Sequence, residues 1–97
     1  MPDKWLPGEV AHLTLAVTDV DGQPADPGML RLMVMPPDEI VTTYQLGIGP
    51  IQRIAAGIFY ADIALTASGV WAWRWESDAP HVGAAEGSLF VRASLIP

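Results

Sequence analysis

The sequence predicts an all-β fold, an antiparallel sandwich of about seven short strands, and three observations carry that prediction. Apolar and polar residues alternate with period two in several short runs, the pattern of a strand with one buried face. Nine glycines and nine prolines punctuate 97 residues, which suits many short strands better than a few long helices. No run of useful length repeats at helical spacing, so helix content should be close to nil, at most one turn around Ala55-Ala56 or Ala84-Ala85. An open-ended barrel is the alternative way to close such strands.

The bulk composition sets the frame. Hydrophobic residues make up 51% and charged residues 16% of the chain, a globular balance in one domain spanning residues 1–97. That length supports a core without metal or disulfide staples, and the chain has no cysteine. Five basic against eleven acidic residues give a formal charge of −6. Such a field repels phosphates, and Lys4, Arg31, Arg53, Arg74 and Arg92 stand singly, which argues against nucleic acid as a partner. No segment reaches the ~20 apolar residues of a membrane span, and the amino terminus lacks the apolar run of a signal peptide. No membrane partner is expected, and the cytoplasm is the expected site of synthesis and folding.

Taken in order, residues 1–9 read as an extended lead-in that turns at Pro7-Gly8, with Trp5 either plugging one end of the core or anchoring a partner. Val10 to Thr18 is the first strand, with Leu13, Leu15 and Val17 on one face and His12, Thr14, Ala16 and Thr18 on the other. Asp19 to Gly28 breaks it with acidic, glycine and proline residues. Met29 to Met35 follows, with Leu30, Leu32 and Val34 inward. Met29, Arg31, Met33 and Met35 stand opposite, an adaptable methionine face suited to a contact. Pro36 to Glu39 turns the chain into Ile40–Leu46, where both faces carry apolar residues. Gly47-Ile48-Gly49-Pro50 is a flexible connection, since it lacks the remaining glycine or Gly-Lys-Ser/Thr of a phosphate loop. Ile51–Ile54 is a short strand.

Gly57 to Glu76 forms the centre of the fold, two alternating strands joined at Thr66–Gly69. Phe59, Ala61, Ile63 and Leu65 share one face, and Trp71, Trp73 and Trp75 share the matching face of the next strand. Burying a large aromatic contributes roughly 2–3 kcal/mol, so the tryptophans are expected to fill the core, with Trp75 the one that reaches a rim. The same stripe could instead stack on sugars, which defines an alternative function as a carbohydrate-binding module. Tyr60, Asp62, Arg74 and Glu76 face outward, with Asp62 expected to pair with Arg74. Residues 77–87 read as a long loop, and Leu89–Ala93 as the last strand, with Leu89 and Val91 alternating against Phe90 and Arg92. Seven strands with turns about every ten residues give an immunoglobulin-like sandwich.

Chemistry is sparse. His12 and His81 are far apart in sequence, and a zinc or copper site would need them to converge with Glu9, Glu86 or a methionine. A small metal-binding sandwich is therefore a further alternative, and no metal or cofactor is expected. The carboxylates of Asp19, Asp21 and Asp26 lack the spacing and closing glutamate of a calcium loop and read as solvated turn residues. Ser68, Ser77, Ser88 and Ser94 occur in no nucleophile motif. No enzyme activity is expected. The candidate interaction surface is Trp5, Met29, Met33, Met35, Tyr60, Asp62, Arg74 and Glu76.

The segments PGEV (7–10), LTLAVTDVDGQPADP (13–27), GIFYADIAL (57–65), GVWAWRWE (69–76) and EGSLFV (86–91) together resemble the small immunoglobulin-like structural proteins of tailed bacteriophages and prophages. The resemblance covers nearly the whole chain. It implies a non-catalytic virion or assembly protein of head, neck or tail, whose partners are other virion proteins or further copies of itself. It also implies residence in the host cytoplasm during assembly and then in the virion. Many related sandwiches carry Tyr where this chain has Phe59; Phe59 cannot make that hydroxyl bond, so the corner is expected to rely on packing alone.

Overall fold

Period-two alternation in the chain resolves into two sheets in the computed structural model, which describes residues 5–93. The strands are β1 (Val10–Ala16), β2 (Leu30–Met35), β3 (Thr42–Gln45), β4 (Gln52–Ala55), β5 (Ile58–Ala64), β6 (Gly69–Ser77) and β7 (Gly83–Val91). One sheet has the order β1-β5-β4 and the other β3-β2-β6-β7, every pair antiparallel. β2–β3, β4–β5 and β6–β7 are hairpins within a sheet, whereas β1→β2, β3→β4 and β5→β6 change sheets. Two separate sheets form a sandwich rather than the barrel alternative, and no helix occurs among the described residues. Residues 1–4 of the lead-in and Ser94 lie outside them.

The core sits between the inner faces that the alternation marks. Ala11 and Leu13 from β1, and Phe59, Ala61 and Ile63 from β5 with Leu65 just beyond it, meet Leu30, Leu32 and Val34 from β2 and Trp71 and Trp75 from β6. Ile51 and Val91 complete it, and Leu15, Val17, Tyr44, Leu46 and Leu89 pack against its margins. The ambiguous third strand is settled here: β3 begins at Thr42, Tyr44 points inward, and Ile40 and Val41 remain exposed in the preceding turn.

Two expectations need correction. The last strand begins at Gly83, six residues before Leu89, and β7 pairs with β6 without a break from Gly83↔Ser77 to Val91↔Gly69. Gly83-Ala84-Ala85-Glu86-Gly87 has too few large apolar side chains to show alternation; cross-strand bonding to a nine-residue neighbour makes it a strand regardless. Ala84-Ala85 is therefore strand and not a helical turn. Second, Trp75 is only 2% exposed, and Trp73 is the half-buried tryptophan. Trp73 stands across from Gly87, and its indole lies over that glycine so closely that a Cβ there would sit 2.7 Å from Cζ2. Trp75 is buried and lines a cavity together with Leu15 and Val17.

The turn from β5 to β6 is tied by Trp71, whose Nε1 donates to the Ala67 carbonyl at 2.9 Å; Phe59, at the opposite end of β5, is wholly buried. Asp26 is exposed as expected, its side chain 45% accessible, and it is also a clamp. Its carboxylate accepts from Arg53 Nη2 at 2.9 Å and from the Gly57 amide at 2.9 Å. The Arg53 hydrogen bond, aided by the Gly57 N–H, holds its pKa below the ordinary carboxylate value. Gly57 must be glycine: its φ is +71°, and a Cβ would fall 2.4 Å from the Val17 carbonyl oxygen.

Candidate interaction surfaces

Because side chains alternate, each sheet presents one outer face, and the sequence-predicted surface residues divide between them. Met33, Met35, Arg74 and Glu76 come together on the outer face of the four-stranded sheet, where Met33 is level with Arg74 and Met35 with Ala72. Met29 is exposed just before β2. Tyr60 and Asp62 lie on β5, in the opposite sheet. Trp5 is on neither face; it is half-buried against the core and forms a parallel bridge with Val91.

The expected Asp62–Arg74 pair does not form, because β5 and β6 belong to different sheets. Asp62 is level with His12, and its Oδ1 lies 2.6 Å from His12 Nδ1. The His12 ring centroid is 4.7 Å from that of Tyr60. All three residues belong to the outer layer of the β1–β5 ladder.

Arg74 belongs instead to a ladder of alternating charge across β2, β6 and β7. Arg31 holds Asp78 in a fork, Nη1 to Oδ2 at 3.1 Å and Nη2 to Oδ1 at 3.2 Å, and its Nε donates to Glu76 at 3.1 Å. Glu76 also accepts from Arg74 Nε at 2.7 Å, and Arg74 Nη1 donates to Glu86 at 3.1 Å. Hydrogen bonding from Arg74, and then from Arg31, lowers the Glu76 pKa against the opposing effect of desolvation. The bonds that Arg31 donates to Asp78 and Glu76 raise its own pKa.

At the other end of the same face the ladder gives way to an apolar patch. Val70 and Phe90 are cross-strand neighbours, 58% and 51% exposed, one step from the Met35–Ala72 row. Sequence reading placed Phe90 out of phase with Leu89 and Val91, and an aromatic on the polar side of an alternating strand is the signal that marks it. Glu86, the acidic end of the ladder, carries no such signal, since the Gly83–Gly87 part of its strand shows no alternation.

Apart from these faces, the sandwich is open along one long side. The edges of β1 and β7 face each other there, and clefts at both ends of the seam are lined from both strands. Among the described residues no group of three or more His, Asp or Glu stands where it could hold a metal ion. Trp71 and Trp75 are buried, so a sugar-stacking platform of three tryptophans is not presented. No helix is long and apolar enough to cross a membrane among the described residues. Comparison with protein-family models, curated proteins and solved structures finds no match to this chain.

Proposed function

We propose that this chain is a non-catalytic structural module that binds other proteins, and that it serves in the virion or the assembly of a tailed bacteriophage or prophage, in head, neck or tail. The observation that carries the binding role is the outer face of the four-stranded sheet. There Val70 and Phe90 expose an apolar patch beside Met35, on the same rigid surface as the Asp78–Arg31–Glu76–Arg74–Glu86 ladder. An apolar centre with a charged margin is the ordinary make-up of a protein interface. Its partners are other virion proteins or further copies of the chain. The phage setting is supported by the sequence resemblance over residues 7–91.

The strand orders support the immunoglobulin-like form of the sandwich. In that pattern one sheet carries strands A, B, E and D and the other C, F and G with C′ added at the edge, so the match here is to all but strand A. β1-β5-β4 and β3-β2-β6-β7 fall into those orders in chain sequence.

The test is incorporation into particles. Particles purified from a host carrying the gene should contain the chain in stoichiometric amount by quantitative mass spectrometry. Phe90→Asp should reduce that amount at least about tenfold, the effect of a central interface residue, while near-ultraviolet circular dichroism of the isolated variant stays unchanged. Absence of the wild-type chain from both particles and assembly intermediates would overturn the proposal.

A further inference from the structure

Along the seam between β1 and β7, the described residues leave two sheet edges largely unpaired. In the β1–β5 ladder Val17 N donates to Gly57 O and Leu65 N donates to Glu9 O, so the odd-numbered residues of β1 bond inward to β5. The amides and carbonyls of His12, Thr14 and Ala16 therefore point to the seam. On β7, Phe90 O accepts from Trp5 N and Arg92 N donates to Trp5 O. Residues of that parity, Ala84, Glu86 and Ser88, turn their backbone groups to the same side, since the β6–β7 register is unbroken. Trp5 thus shows how the seam is filled: an extended residue pairs in parallel with the edge at one end of β7. No other backbone pairing covers the β7 edge among the described residues.

At the far end from Trp5 the seam holds a cavity of about 220 Å³, lined among others by Leu15, Val17, Trp75, Ser77 and Ala85. Trp75 is 2% exposed, and among the described residues its Nε1 is a buried donor without a partner. Leu15, Val17 and the Trp75 ring give the cavity an apolar wall. The charged residues of β7 and of the turns flanking the cavity are acidic: Glu86 and Asp78 are paired with Arg74 and Arg31, while Asp19 and Asp21 carry no ion pair among the described residues. With a formal charge of −6 on the chain, a second copy brings like charge to this rim, and a basic partner is favoured.

We propose that the seam accepts an extended segment of another protein, which adds as a strand to the β7 edge at Ala84, Glu86 and Ser88. The segment places an apolar side chain in the cavity beside Trp75 and carries basic residues against the acidic rim. Main-chain hydrogen bonds supply affinity in such strand addition, and the pockets for alternate side chains supply selectivity. This site is separate from the Val70–Phe90 face.

Amide hydrogen exchange on the isotope-labelled full chain tests it, with a short peptide of alternating threonine and valine capped at both ends by lysine. The lysine peptide should slow exchange at Ala84, Glu86 and Ser88 by at least about tenfold and move the Trp75 indole resonance. The same peptide capped by aspartate should do so far less. Ala84→Pro and Ser88→Pro each delete one seam-facing N–H without touching a bond to β6. Both should keep the wild-type near-ultraviolet spectrum and lose the protection. The proposal is overturned by any of three results: no slowing with the lysine peptide at millimolar concentration, full protection of these amides in the free chain, or protection that rises with protein concentration without peptide, which marks a second copy as the occupant. A chain that fails here and still enters particles leaves the proposed function standing.

Discussion

Single residues hold this sandwich at its corners, and three of them make distinct predictions. Trp71 combines a buried ring with the bond from Nε1 to the Ala67 carbonyl. Trp71→Phe keeps most of the ring volume and deletes the bond, so it should cost about 1–3 kcal/mol in urea unfolding, from the lost bond and the cavity left by the smaller ring. Glu39 is the one non-glycine residue with positive φ among those described, at 66°. A left-handed conformation is unfavourable for a residue with a Cβ, by roughly 1–2 kcal/mol. Glu39→Gly removes that cost and loosens the unfolded chain, so a net gain of about 0.5–1 kcal/mol is expected. Gly57 is the reverse case. Gly57→Ala sets a Cβ against the Val17 carbonyl and the Ala25 amide, and it should destabilise by at least ~2 kcal/mol in the same assay.

Between elements, charged side chains join what hydrophobic alternation cannot. Asp26 links the β1–β2 connection to Arg53 of β4 and to the Gly57 amide at the β4–β5 turn. The Asp78–Arg31–Glu76–Arg74–Glu86 ladder crosses three adjacent strands. Asp26 and Glu76 are both held below their ordinary pKa, each chiefly by hydrogen bonding to an arginine. The folded chain therefore binds fewer protons than the unfolded chain across the carboxylate range. That stability is fully present above the unfolded pKa values and is lost as pH falls through the folded ones. The urea midpoint should be level from about pH 7 to about pH 5 and decline below about pH 4. Asp26→Asn should lower the midpoint at neutral pH and make the acid decline shallower. A decline of unchanged steepness in that variant would remove Asp26 from the account.

For the whole molecule, the burial of the aromatics predicts an optical signature. Trp71 and Trp75 are in the core, while Trp73 and Trp5 are half-buried at its margin. Emission should be blue-shifted overall, with a minor component open to acrylamide. Trp73→Phe should remove a large share of that quenchable component, and Trp75→Phe should leave it intact. The inward sets of β1, β2, β5 and β6 were legible from sequence because a half-buried strand must alternate. Strand β7 was not, because Gly83, Ala84, Ala85 and Gly87 show no hydrophobic contrast between their two faces. The candidate surface was legible only as a collection of outward residues. Which of them share a face depends on the division of strands between sheets, and that division separated Asp62 from Arg74.

The sequence by itself determined the all-β class, the position of most strands and the residues that fill the core. These follow from local alternation and from glycine and proline, which act over a few neighbouring residues. Only the tertiary structure decided the pairing of strands and hence everything that depends on distant residues meeting. The ladder on the outer face, the Asp26 clamp, the seam between β1 and β7 and the unpartnered indole of Trp75 are of that kind. Charged side chains on a strand surface carry no period that names their partner. The backbone groups of an edge are the same in every residue, so an open edge is written only in the order of the sheets.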